Sequence, residues 1–87
     1  MFAYRLRVTL RESGEDKPVP KAWLDQFFMR NFTGYTAFDE TLVIGDGQLE
    51  AGFAVRPDAV REHFERWLHG RKMVPPETRL SVEIMDR

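Results

Sequence analysis

The chain has 87 residues, 43% of them hydrophobic and 13% aromatic, with 13 Lys/Arg against 14 Asp/Glu for a net charge of −1, and no cysteine. That is one domain with enough apolar content for a real core, and disorder of the whole chain is excluded. Disulfides, thiol catalysis, iron–sulfur clusters and cysteine zinc sites are excluded, and no apolar run approaches the ~20 residues that cross a bilayer. The N-terminus carries arginines inside a strand pattern and is not a signal peptide, so the expected location is cytoplasmic.

The first element is the clearest. From Tyr4 to Arg11, Tyr4, Leu6, Val8 and Leu10 alternate with Arg5, Arg7, Thr9 and Arg11. A two-residue period predicts a strand with a buried face and an open face, the latter bearing three arginines. The polar stretch Glu12 to Pro18 follows and reads as an exposed loop, with Gly14 and Pro18 as breakers.

Pro20 suits a first helical turn, and the apolar stripe Trp23, Leu24, Phe27 and Phe28 predicts a helix to about Asn31, ended by Asn31 or Gly34. Asp46-Gly47 between two apolar-rich runs predicts a type I′ hairpin. A two-residue loop there sets Ile44 against Leu49, Leu42 against Ala51, Glu40 against Phe53 and Phe38 against Val55 on the core face, leaving Asp39, Thr41, Val43, Glu50, Gly52 and Ala54 outside.

Pro57 and Asp58 open a second helix with the stripe Val60, Phe64, Trp67 and Leu68 and a cap at Gly70. Leu80, Val82 and Ile84 alternate with Ser81, Glu83 and Met85 in a last strand. The order βαββαβ predicts an α+β ferredoxin-like sandwich spanning 1–87. Its expected sheet is four-stranded and antiparallel, in strand order 4-1-3-2, with both helices on one face.

In that sandwich the first strand is central, and Arg5, Arg7 and Arg11 stand beside Glu50 and Glu83, with Met85 on one flank and Gly52 and Ala54 on the other. Cross-strand ion pairing on a solvated sheet is the plain reading. The sharper one is a contact face for another protein or for a second copy, because arginine pairs bidentately and also packs. Charge is unevenly spread: residues 31–55 hold Asp39, Glu40, Asp46 and Glu50 and no Lys or Arg. Such an acidic middle suits a complementary protein and disfavours a long nucleic-acid footprint.

Other chemistries have weaker carriers. Base stacking needs aromatic residues on the open face, where none is expected. Glu65 and His69 lie one helical turn apart and could offer a metal two ligands, but no third is evident and His63 points away. Ser13 and Ser81 lack a histidine partner in sequence. Gly45-Asp46-Gly47 is turn chemistry and not a phosphate loop. The paired cysteines of metallochaperones and the arginine-bearing glycine loop of acylphosphatases are both missing.

Glu40, on the core face of the predicted hairpin, is a candidate buried carboxylate with a raised pKa, unless an irregularity or an edge position lets it reach water. Met29, Phe32, Tyr35 and Met73 lie off the stripes and either plug the ends of the sandwich or form a second patch. Catalytic residues, cofactors and metals are not indicated.

The expected function is therefore that of a small non-enzymatic protein-binding domain, an inhibitor, adaptor or regulatory subunit; a phage or mobile-element accessory protein is compatible. A nucleic-acid-associated module and a small-molecule-binding or enzymatic ferredoxin-like dimer are the alternatives. A pocket holding Glu40 or His63 would favour the dimer.

Overall fold

The structure, a computed structural model, describes residues 3–30 and 41–86. It is α+β, with an antiparallel sheet and two helices. In chain order the elements are β1 (Tyr4–Glu12), β2 (Glu15–Pro18), α1 (Lys21–Asp25, continued by a π-helical turn over Gln26–Arg30), β3 (Thr41–Gly45), β4 (Gln48–Ala51), α2 (Pro57–Gly70) and β5 (Arg79–Asp86).

β1 organises the sheet. One of its edges pairs with β5 over Arg5 to Arg11, and its other edge is shared, with β4 along Tyr4 to Arg7 and β2 along Thr9 to Glu12. β3 joins beyond β4. The sheet has five strands and not the four expected, in the order β2-β1-β4-β3 with β5 paired to β1 off this path.

The extra strand is β2, which falls in the stretch read as a loop. Ser13 and Gly14 both have positive φ, +51° and +82°, and so turn the chain back on itself in two residues. Four charged or proline residues that face water on every side carry no alternation, so periodicity could not reveal the strand. Its hold on β1 comes from the backbone ladder and from Arg11, whose guanidinium donates to both carboxylate oxygens of Asp16 at 3.0 and 3.4 Å.

The hairpin at Asp46-Gly47 is present, but only Gly47 has a positive φ, +66°, so its turn is not the type I′ expected, and its register is one residue away from the expected one. Gly45 faces Gln48 across the turn, a bulge at Ile44 follows, and Val43 then opposes Leu49. Because side chains alternate, this slip buries Val43 and turns Leu42 outward, 42% exposed. β4 ends at Ala51, so Phe53 is not a core residue but an 83% exposed one. Asp46 does more than turn the chain: its Oδ1 accepts the Lys21 N–H at 2.7 Å, satisfying an N–H at the start of α1. Pro20 therefore sits just before the helix and not within its first turn.

One cluster forms the core. Leu6, Val8 and Leu10 of β1, Val43, Leu49 and Ala51 of the hairpin, and Leu80 of β5 meet Leu24, Phe27 and Phe28 on one helix and Val60, Phe64 and Leu68 on the other. Phe27 stacks on Phe64 with centroids 4.5 Å apart, and both rings meet Trp67. α2 begins at Pro57 as expected, but its end differs. Gly70 is still helical, and Lys72, with φ +55°, is the left-handed residue that stops the helix. The Met73 N–H reaches Leu68 O and the Lys72 N–H reaches His69 O, a Schellman closure. Met73 packs against the core, as an end plug would. Asn31, Phe32, Gly34, Tyr35, Phe38, Asp39 and Glu40, and the side chain of Met29, lie outside the described residues.

Candidate functional site

Alternation in β1 decides the geometry. Leu6, Val8 and Leu10 are buried under the helices, so Arg5, Arg7 and Arg11 stand on the opposite face, and all three are exposed. β1 has strands on both edges, so this face is the middle of the sheet. Among the described residues neither helix lies over it.

Each arginine has a different setting. Arg5 faces Glu50 across the ladder, and its Nε lies 3.6 Å from Glu50 Oε1. Arg11 is paired with Asp16, a partner that the loop reading hid. The hydrogen-bonded carboxylate raises the Arg11 pKa above its already high value, and Arg11 in turn holds Asp16 below the usual carboxylate range. Arg7 lies between them, opposite Gln48 on one side and Glu83 on the other. No carboxylate among the described residues comes within 4.0 Å of its guanidinium. The central guanidinium is thus the least committed of the three.

The flanks differ from expectation. Gly52 is buried and Ala54 lies beyond the end of β4, so neither borders the arginines. Gln48 and Glu50 do, with exposed Leu42 opposite Glu50 on β3. Met85, half-buried, falls at the irregularity where the β1–β5 register shifts between Arg5 and Leu6. Thr9 and Ser81 complete the face toward Arg11.

Glu65 and His69 do share a helical face, and that face meets β5. Glu65 Oε2 accepts the Leu80 N–H at 2.8 Å, its Oε1 lies 3.6 Å from Arg79 Nη1, and His69 Nε2 bonds Thr78 O at 3.0 Å. Both side chains are spent on fastening α2 to the start of β5. No group of three or more His, Cys, Asp or Glu is placed to hold a metal among the described residues. Glu40 lies outside them; the parity that put it on the core face rested on the register that the Ile44 bulge changes.

One hollow is apolar. Ala3, Tyr4, Phe53 and Ile84 line an open space of about 460 Å³ beside the first residues of β1. Tyr4 donates its hydroxyl proton to Val55 O, and burial raises its phenol pKa. The described lining contains no carboxylate or histidine. Sequence reasoning missed this feature because it placed Phe53 in the core. No helix among the described residues is long and apolar enough to cross a membrane. No protein-family model, no curated protein and no solved structure matches this chain.

Proposed function

We propose that this chain is a non-catalytic protein-binding domain, of the kind that serves as a cytoplasmic inhibitor, adaptor or regulatory subunit, and that it receives an acidic protein surface on its open sheet face, centred on Arg7. The fold we assign to it is a ferredoxin-like sandwich, β5-β1-β4-β3, to which the β2 hairpin has been added along the upper edge of β1.

The observation that carries this reading is the graded commitment of the arginines. Arg5 and Arg11 are each engaged by a carboxylate, while Arg7, in the middle of the uncovered face, has none within ion-pair distance among the described residues. A guanidinium fixed on a rigid strand offers a planar fork that matches a carboxylate with little ordering left to do. The interspersed Asp16, Glu50 and Glu83, and the absence of any aromatic side chain among the described residues of this face, favour a protein over a nucleic acid.

The test begins with isolation of a partner from the native host and measurement of its affinity by calorimetry. Arg7→Glu is expected to weaken that affinity by about thirtyfold or more, as loss of a central interface arginine does, with the melting temperature little changed. Unchanged affinity removes β1 from the site. Binding of RNA or DNA that falls steeply with salt would reassign the face to nucleic acid.

A further inference from the structure

We propose that the free edge of β5 is a second docking site, which takes an extended polypeptide segment carrying a basic residue between two apolar ones and adds it to the sheet as a further strand. It shares Glu83 with the open face, but it rests on the outer backbone edge of β5 and stands whether or not Arg7 binds anything.

The backbone directions follow from β1. The Val8 N–H donates to Gly47 O at 2.7 Å and Val8 O accepts the Val19 N–H at 3.1 Å, so both polar groups of Val8 point away from β5. Val8 is opposite Val82. In an antiparallel ladder that pair is a non-hydrogen-bonded one, and Val82 turns its own N–H and C=O to the outer edge. Alternation extends this to Leu80 and Ile84, and the Leu80 N–H indeed leaves the sheet to reach Glu65 Oε2. Val82 and Ile84 have no such partner among the described residues.

Side chains give the edge its character. Ile84 is 45% exposed and borders the apolar hollow with Tyr4 and Phe53. Glu83, between the two free residues, is exposed on the other face. The inner edge of β5 already displays what fits this pattern, since Leu6, Arg7 and Val8 face Ile84, Glu83 and Val82 there. A segment with the same apolar–basic–apolar order meets the same three side chains from outside, by strand addition.

A second copy fits less well. Self-pairing centred on Val82 needs the Leu80 N–H, which Glu65 holds. Self-pairing centred on Glu83 uses every free group but sets two Glu83 carboxylates directly opposite each other, a destabilising arrangement. A basic residue at that position turns the repulsion into attraction.

The experiment titrates the ¹⁵N-labelled full chain with a synthetic peptide having the sequence of Tyr4–Arg11. The expected result is shifted signals and slowed hydrogen exchange at the Val82 and Ile84 amides. Ile84→Pro removes an edge donor that β1 does not use, a place where proline is tolerated, and should weaken binding about tenfold. Glu83→Lys should weaken it roughly two- to tenfold and prefer a peptide whose arginines are replaced by glutamate; this swap decides the matter if the proline variant does not fold. Unprotected Val82 and Ile84 amides up to the peptide's solubility, or no response to charge reversal, overturns the proposal. A concentration-dependent dimer that protects those amides without peptide assigns the edge to a second copy and overturns it as well.

Discussion

Replacing Gly47 by alanine should be among the most damaging single-methyl changes in this protein. Gly47 has φ +66°, and a Cβ there would lie 2.8 Å from Val8 O, 2.9 Å from Pro18 Cβ and 3.2 Å from Pro18 Cα. It sits where β2 and β4 share one edge of β1. Its O accepts the Val8 N–H and its N–H donates to Val19 O, both at 2.7 Å. A left-handed non-glycine residue costs roughly 1–2 kcal/mol, and displacing two pieces of packed backbone costs about 1–3 kcal/mol more. The sum, about 2–5 kcal/mol, is set against a stability of roughly 4–13 kcal/mol for a chain of this size. The neighbouring Asp46, which holds the Lys21 N–H, would be pulled along and loosen the start of α1.

Gly14→Ala is the internal control. Its φ is +82° but nothing lies within 4 Å of the added methyl. Only the backbone cost of roughly 1–2 kcal/mol applies there. Urea unfolding followed by circular dichroism and by the fluorescence of Trp23 and Trp67 gives both values. Equal losses for the two variants, or a neutral Gly47→Ala, would refute the claim that this glycine is required by the crowding of three strands.

Two other outcomes are expected. Lys72→Gly relieves the left-handed strain at the end of α2 and should raise stability by about 1 kcal/mol in the same unfolding assay; a loss would mean that the Lys72 side chain contributes something its backbone does not reveal. Burial raises the Tyr4 phenol above its ordinary value near 10. The native state then keeps this proton longer than the unfolded chain does, so its contribution is intact below about pH 10 and is lost as pH climbs through the folded value. Tyr4→Phe should flatten that alkaline decline while lowering stability at neutral pH by about 1 kcal/mol for the missing hydrogen bond to Val55 O. Parallel stability curves for the two proteins between pH 8 and 11 would assign the decline to another group.

Local pattern determined much of this protein. The strict alternation of Tyr4 to Arg11 was enough to place the arginines of β1 on one face and its leucines on the other, because the period of a strand admits no other outcome once one side is buried. Proline at the start and apolar residues at helical spacing were likewise enough for α2. Asp46-Gly47 marked a hairpin because glycine readily takes the positive φ that the turn requires at Gly47, although the turn type was not the one the dipeptide suggested.

Tertiary structure decided what pattern could not express. The bulge at Ile44 shifted the hairpin by one residue, exchanging Val43 for Leu42 in the core; two apolar residues side by side look alike until a partner strand selects one. β2 exists because β1 is longer than β4 and has an unpaired upper edge to offer, a fact about neighbours and not about Glu15 to Pro18. The same holds for Glu65 and His69. Their spacing allowed a metal, a partner or a fastening, and only the arrival of Thr78 and Leu80 beneath α2 made them a fastening. Arg7 is set apart by the same kind of accident of position: β4 and β2, which share one edge of β1, bring carboxylates within reach of Arg5 and Arg11, and among the described residues none comes within 4.0 Å of the guanidinium between them.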